Sequence, residues 1–152
     1  MTRILVADDH EIVREGIRGL VGRADRDWEI CGEARNGKDA VQMVRSLKPD
    51  VVVLDVTMPV MSGLQAAKEI VRSGVNTRIL IFTMHESERL GEEVQQTGAH
   101  GYVLKSQAAR DLVRAIDCLL SGTTFYGAPE VKELPPTKAK NGPLFCQALA
   151  FA

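Results

Sequence analysis

Four short runs of β-branched and aliphatic residues recur along the chain, and each ends abruptly in a polar residue. Ile4-Leu5-Val6-Ala7 runs into Asp8-Asp9, and Val51-Val52-Val53-Leu54 into Asp55. Ile79-Leu80-Ile81-Phe82 runs into Thr83, and Tyr102-Val103-Leu104 into Lys105. None alternates apolar with polar, so each reads as a strand covered on both faces, the habit of parallel sheets. In a doubly wound sheet the strand C-termini share one edge, and sites form there. The pattern therefore predicts that Asp8, Asp9, Asp55, Thr83 and Lys105 meet. Three carboxylates, a hydroxyl and an ammonium in one place suit phosphoryl chemistry.

The segments between these runs have helical period. Ile12, Val13, Ile17, Leu20 and Val21 form one stripe, and Ala40, Val41, Val44 and Leu47 a second. Leu64, Ala67, Ile70 and Val71 make a third, and Leu112, Val113, Ile116, Leu119 and Leu120 a last, closed by Gly122. Ser87–Thr97 offers only Leu90 and Val94 as clearly apolar anchors, so a weakly held helix is expected there. With Trp28–Ala34 as an edge strand, five strand–helix units build a three-layer α/β sandwich.

The formal net charge is −1 and the basic residues are dispersed, which gives no footprint for nucleic acid. Three cysteines, Cys31, Cys118 and Cys146, lack metal-ligand spacing and read as reduced thiols of a cytoplasmic protein. Met1 leads almost directly into the first strand, so no signal peptide is expected. No apolar stretch approaches the roughly 20 residues of a membrane span. After about Val131 the chain becomes linker-like, as in Leu134-Pro135-Pro136-Thr137, and closes on a short apolar segment, Leu144–Ala152. The expected division is a domain over 1–123 and a tail over 124–152.

One of Asp8 and Asp9 could cap the helix beginning near Glu11, but capping does not explain a pair. Adjacent carboxylates facing a third at Asp55 repel, and each raises the others' pKa. A hard divalent cation relieves this, and Mg²⁺ (or Mn²⁺) takes carboxylates, waters and phosphate oxygens. Asp55 is placed to act as a carboxylate nucleophile toward phosphorus. Lys105 and the cation would neutralise the equatorial oxygens, and Thr83 would hydrogen-bond one of them. Lysine is more often a solvated surface residue, but Lys105 directly follows an apolar strand. His10, His85 and His100 read as surface or satisfied histidines, with His85 near enough to Thr83 to brush the site mouth.

Ile4-Leu5-Val6-Ala7-Asp8-Asp9-His10, Leu54-Asp55-Val56-Thr57-Met58-Pro59 and Gly101-Tyr102-Val103-Leu104-Lys105 together resemble the signatures of response-regulator receiver domains, over about Thr2 to Gly122. Val13-Arg14-Glu15-Gly16, Gly32-Glu33-Ala34 and Asn36-Gly37 resemble the NarL/FixJ-type branch. The resemblance implies a CheY-like, five-stranded parallel sheet of order 2-1-3-4-5, with helices on both faces. It implies that Asp55 accepts phosphate from a sensor histidine kinase, and that Asp9, Asp55 and the Thr57 backbone carbonyl ligate the metal while Asp8 helps through water. Thr83 and Tyr102 would form the switch pair. A homodimer is expected, as in many relatives. The branch usually carries a C-terminal helix-turn-helix reading the DNA major groove. The residues after Val131 lack the periodicity for one, so DNA binding is not expected of this chain.

Two rivals come from other classes. A haloacid-dehalogenase-type phosphatase also uses an aspartate nucleophile and Mg²⁺, but wants a second aspartate two residues on, where this chain has Thr57. A module that binds partners without phosphorylation would require the acidic set to be vestigial, and it is complete. A flavodoxin-like cofactor binder lacks a phosphate loop after the first strand. The reading is thus a switch domain that turns over no external substrate, with self-catalysed phosphotransfer and autodephosphorylation its only chemistry.

Overall fold

The computed structural model describes residues 1–84 and 87–126. Its strands are β1 (Thr2–Ala7), β2 (Trp28–Ala34), β3 (Val51–Asp55), β4 (Arg78–Thr83), β5 (Gly101–Leu104) and β6 (Phe125–Tyr126). Between them run α1 (Glu11–Gly22), α2 (Gly37–Leu47), α3 (Gly63–Arg72), α4 (Leu90–Thr97) and α5 (Ala108–Leu120), the last entered through a 3₁₀ turn at Lys105–Gln107. The sheet is parallel, in the order β2-β1-β3-β4-β5-β6. The expected order holds, extended by a two-residue β6 on β5 that follows α5.

Period-two alternation explains why the runs are apolar throughout. Ile4, Val6, Val51, Val53, Leu80, Phe82 and Val103 point into one core with Ile17 and Val21 of α1 and Leu112, Ile116 and Leu119 of α5. Leu5, Ala7, Val52, Leu54, Ile79 and Ile81 point the other way, against α2, α3 and α4. Both faces are sealed, so a polar residue is placed where the strand leaves the two layers.

Capping explains where several helices begin. The Asn36 side chain accepts from the Asp39 N–H at 2.8 Å to start α2, and Ser62 Oγ accepts from the Gln65 N–H at 3.2 Å to start α3. The Arg89 position ahead of α4 supplies no capping side chain, and the helix runs Leu90–Thr97 rather than from Ser87. It is anchored by buried Leu90, Val94 and Thr97, the last unforeseen.

Three stripe residues leave the core. Ile12 is 75% exposed, and Val71 and Leu120 are also exposed. In α1 the inward face is Arg14, Ile17 and Val21, which turns Ile12 outward and buries an arginine instead. Cys31 is a free thiol and Cys118 is buried in the core. Cys146 lies outside the described residues, as do His85 and the linker-like tail. Among the described residues no helix is long and apolar enough to cross a membrane.

Candidate functional site

The C-terminal ends of β1, β3 and β5 bring Asp8, Asp55 and Lys105 together. Lys105 Nζ lies 2.9 Å from Asp8 Oδ2 and 3.1 Å from Asp55 Oδ1. Asp8 and Asp55 are buried, and the Lys105 side chain is nearly so. Its ammonium also stands 5.9 Å from the centre of the Phe82 ring. Asp9 completes the cluster: one ligand atom each from Asp8, Asp9, His10 and Asp55 lie within 4.8 Å of one another.

Neither aspartate is the N-cap of α1. That position is His10, whose side chain makes no capping bond. Asp8 Oδ1 instead accepts from the His10 N–H at 2.9 Å, closing the loop upon itself. His10 Nδ1 stands 3.1 Å from Asp9 Oδ1 and 3.3 Å from Asp8 Oδ1, so this exposed histidine faces the acidic site more closely than its sequence suggests. His100 is a satisfied histidine: its Nδ1 accepts from the Ile79 N–H at 3.0 Å, and burial and nearby Arg78 lower its pKa.

Two buried carboxylates share one ammonium, with the Asp9 carboxylate close beside them. At such separations, and an effective dielectric of about 20, each like-charged pair repels by roughly 3–4 kcal/mol. Burial and then the Asp8 charge push the Asp55 carboxyl above its ordinary range, outweighing Lys105 and the Thr57 N–H, which pull it down. Lys105 is also raised: burial opposes its charge, but hydrogen bonding to Asp8 and the charge of Asp55 prevail. The two directions are compatible, because one cation serves two buried anions and leaves the cluster short of positive charge. Hard carboxylate oxygens in that condition fit a divalent cation of the Mg²⁺ type.

The loop after β3 is held by close backbone approach. The Gly63 N–H donates to the Val56 carbonyl at 2.9 Å, and a Cβ at Gly63 would fall 1.9 Å from the Asp55 carbonyl oxygen. A Cβ at Gly37 would fall 2.2 Å from the Met61 carbonyl oxygen. Between them the Met61 N–H reaches back to Pro59 O at 2.7 Å, forcing exposed Val60 to φ 69°. A β-branched residue with positive φ is strained, a condition frequent near functional sites. Along the chain Gly63 is marked only as a poor helix former directly after a serine cap.

Thr83 is buried at the end of β4, in register with Leu104 and so one residue from Lys105. Tyr102 is already inward. It is 7% exposed, lies in the core under α4, and packs against Tyr126 of β6 with ring centroids 6.2 Å apart. A switch that turned this ring from outside to inside would therefore have no outward starting point here.

The sequence profile of the response regulator receiver domain matches residues 4–117. The chain belongs to the response regulator receiver domain family. It is similar to the transcriptional regulatory protein YdfI of Bacillus subtilis (strain 168), at 37% identity over 88% of this chain and 62% of that protein. The response regulator UvrY of Escherichia coli (strain K12) is 36% identical over 88% of this chain and 61% of its own length. The chain thus spans about three fifths of the curated relatives it matches. Among solved structures, a two-component response regulator of the LuxR family from Aurantimonas sp. SI85-9A1 superposes with a TM-score of 0.80. Their identity is 35%, covering 92% of this chain and all of that one. Receiver domains of two-component systems are phosphorylated on an aspartate by a kinase.

Proposed function

We propose that Asp55 is the phosphoacceptor of this receiver domain, and that residues 1–123 form the phosphoacceptor unit ahead of a tail over 124–152. The observation that carries the reading is the Lys105 ammonium shared between Asp55 and Asp8 at the sheet edge. A carboxylate oxygen of Asp55 attacks the phosphorus of a kinase phosphohistidine. The new O–P bond forms as the P–N bond breaks, and the imidazole leaves with its electron pair. Asp9, Asp55 and the Thr57 backbone carbonyl would hold Mg²⁺ (or Mn²⁺), with Asp8 helping through water, and the cation would supply positive charge to the transferring group. Lys105 offsets further charge on that group, and the Thr83 hydroxyl donates to a phosphate oxygen.

The domain turns over no external substrate; its chemistry is self-catalysed phosphotransfer and autodephosphorylation. Thr83 and Tyr102 form the switch pair, acting on α4. Since Tyr102 is already inward, the phosphorylated state holds it there rather than drawing it in. We place the protein in the cytoplasm, as the input module of a transcription regulator whose partners are a sensor histidine kinase and a second copy of itself. Sequence-specific DNA binding is not assigned to these residues.

Incubation with a small acyl phosphate and Mg²⁺, followed by intact mass, tests the assignment. One added phosphoryl group is expected, absent with a chelator and absent in Asp55→Asn. No adduct with Mg²⁺ present would overturn it.

A further inference from the structure

Two sequence motifs that the phosphoryl chemistry does not use, Val13-Arg14-Glu15-Gly16 and Gly32-Glu33-Ala34, meet in the fold. Arg14 on α1 is 5% exposed, an unusual place for a guanidinium. Its Nε donates to Glu33 Oε1 at 2.8 Å, and its Nη1 donates to the backbone carbonyl of Asp8 at 2.7 Å. Arg18, one turn further along α1, donates to the other Glu33 oxygen. Burial would raise the Glu33 carboxyl, but the hydrogen bonds from Arg14 and Arg18 outweigh it and hold the group below its ordinary range, as the charged partner of both.

The consequence for Asp8 is complete fixation. Its N–H donates to Ala34 O at 3.0 Å, its carbonyl accepts from Arg14, its Oδ1 accepts from the His10 N–H, and its Oδ2 faces Lys105. The carbonyl matters most, because it belongs to the peptide joining Asp8 to Asp9. That unit is planar, so holding its oxygen also sets the direction in which Asp9 leaves. The Asp9 carboxylate itself is 31% exposed and meets the exposed His10 ring at 3.1 Å.

From this geometry we infer that Arg14, braced by Glu33, is a positioning residue for the acidic site, fixing the Asp8–Asp9 peptide so that both carboxylates face Asp55 before any cation arrives. The inference rests on the metal-dependent phosphoacceptor reading above. Arg14 touches neither phosphate nor cation. Lysine cannot replace it, because a single ammonium cannot present the two-pronged donor set that reaches Glu33 and Asp8 together.

Groups that orient metal ligands typically change metal affinity by about 10–100-fold when removed. Calorimetric titration of the whole chain with Mg²⁺ is therefore the test, on Arg14→Met, Glu33→Gln and the parent. Arg14→Met should weaken Mg²⁺ binding by about 10–100-fold, and Glu33→Gln by less in the same direction. The Asp9 amide resonance should move in both variants without metal. Phosphorylation by an acyl phosphate should need more Mg²⁺ but reach the parental rate at saturation. Arg26→Gln, which breaks the Arg26–Asp117 pair at the other end of the sheet, controls for lost stability and should leave Mg²⁺ affinity unchanged. Should Arg14→Met fail to fold, Glu33→Gln carries the test, since Glu33 is partly exposed and only braces the guanidinium. Folded variants that bind Mg²⁺ as tightly as the parent would overturn the positioning role and leave the phosphoacceptor reading intact. A parent chain that binds no Mg²⁺ would overturn that reading instead.

Discussion

The Lys105 ammonium lies 3.1 Å from Asp55 Oδ1, and no other cation stands in the described site to balance that carboxylate. The same ammonium is 2.9 Å from Asp8 Oδ2. Breaking a buried ion pair by deleting one partner costs about 3–5 kcal/mol, because the remaining charge stays buried without compensation. Lys105→Met should therefore lose about that much stability in urea without metal, and recover part of it when Mg²⁺ is added. A loss that Mg²⁺ leaves unchanged would mean the ammonium and the cation do not serve the same carboxylates.

Asp55→Asn should act in the opposite direction. The folded Asp55 carboxyl titrates above its unfolded value, chiefly through burial and the neighbouring Asp8 charge. Between the two pKa values the folded state holds more protons than the unfolded one, so stability falls as pH rises through that window. The penalty grows with pH up to the folded pKa, and asparagine does not carry it. Metal-free Asp55→Asn should melt above the parent at pH 7, with the gap narrowing as pH falls toward the unfolded carboxyl value of about 3.9. A variant that melts lower at pH 7 would contradict this balance.

Gly63→Ala sets helix propensity against steric fit. Alanine would favour the first turn of α3 by about 1 kcal/mol. Its Cβ, however, would meet the Asp55 backbone carbonyl at 1.9 Å, where only a backbone shift gives room. Overpacking of this kind costs about 1–3 kcal/mol, so the variant should be less stable on balance, and its Mg²⁺ affinity should fall because Asp55 is carried along. Equal stability and affinity in a denaturant and metal titration would show that the loop yields freely.

Thr83→Ala separates accepting a phosphoryl group from reporting it. The variant should still gain one phosphoryl group by mass. A hydrogen bond to a charged group contributes about 1.5–3 kcal/mol, enough to change a minor state's population more than tenfold, and α4 is the shortest α-helix among the described residues. Amide shifts over Leu90–Thr97 and at Tyr102 on phosphorylation should therefore shrink markedly. Shifts as large as the parent's would break the proposed coupling.

The sheet and the meeting of Asp8, Asp9, Asp55 and Lys105 were legible along the chain because parallel strands sealed on both faces have a distinctive composition. Their apolar runs stop where the layers end, so the next polar residue is delivered to a common edge. What escaped was decided by contacts between residues distant in sequence. Period alone marks a stripe but not its rotation against the sheet: α1 turns Ile12 to solvent and Arg14 inward because Glu33 and the Asp8 carbonyl wait there. Gly63 is an ordinary glycine until α3 is packed onto the end of β3. Tyr102 was placed on the right strand, but its inward ring depends on Tyr126, which a two-residue strand brings back from beyond α5. Local sequence carries burial and period, which are properties of one segment. Rotation, close approach and ring placement are properties of pairs, and they exist only once the chain has closed on itself.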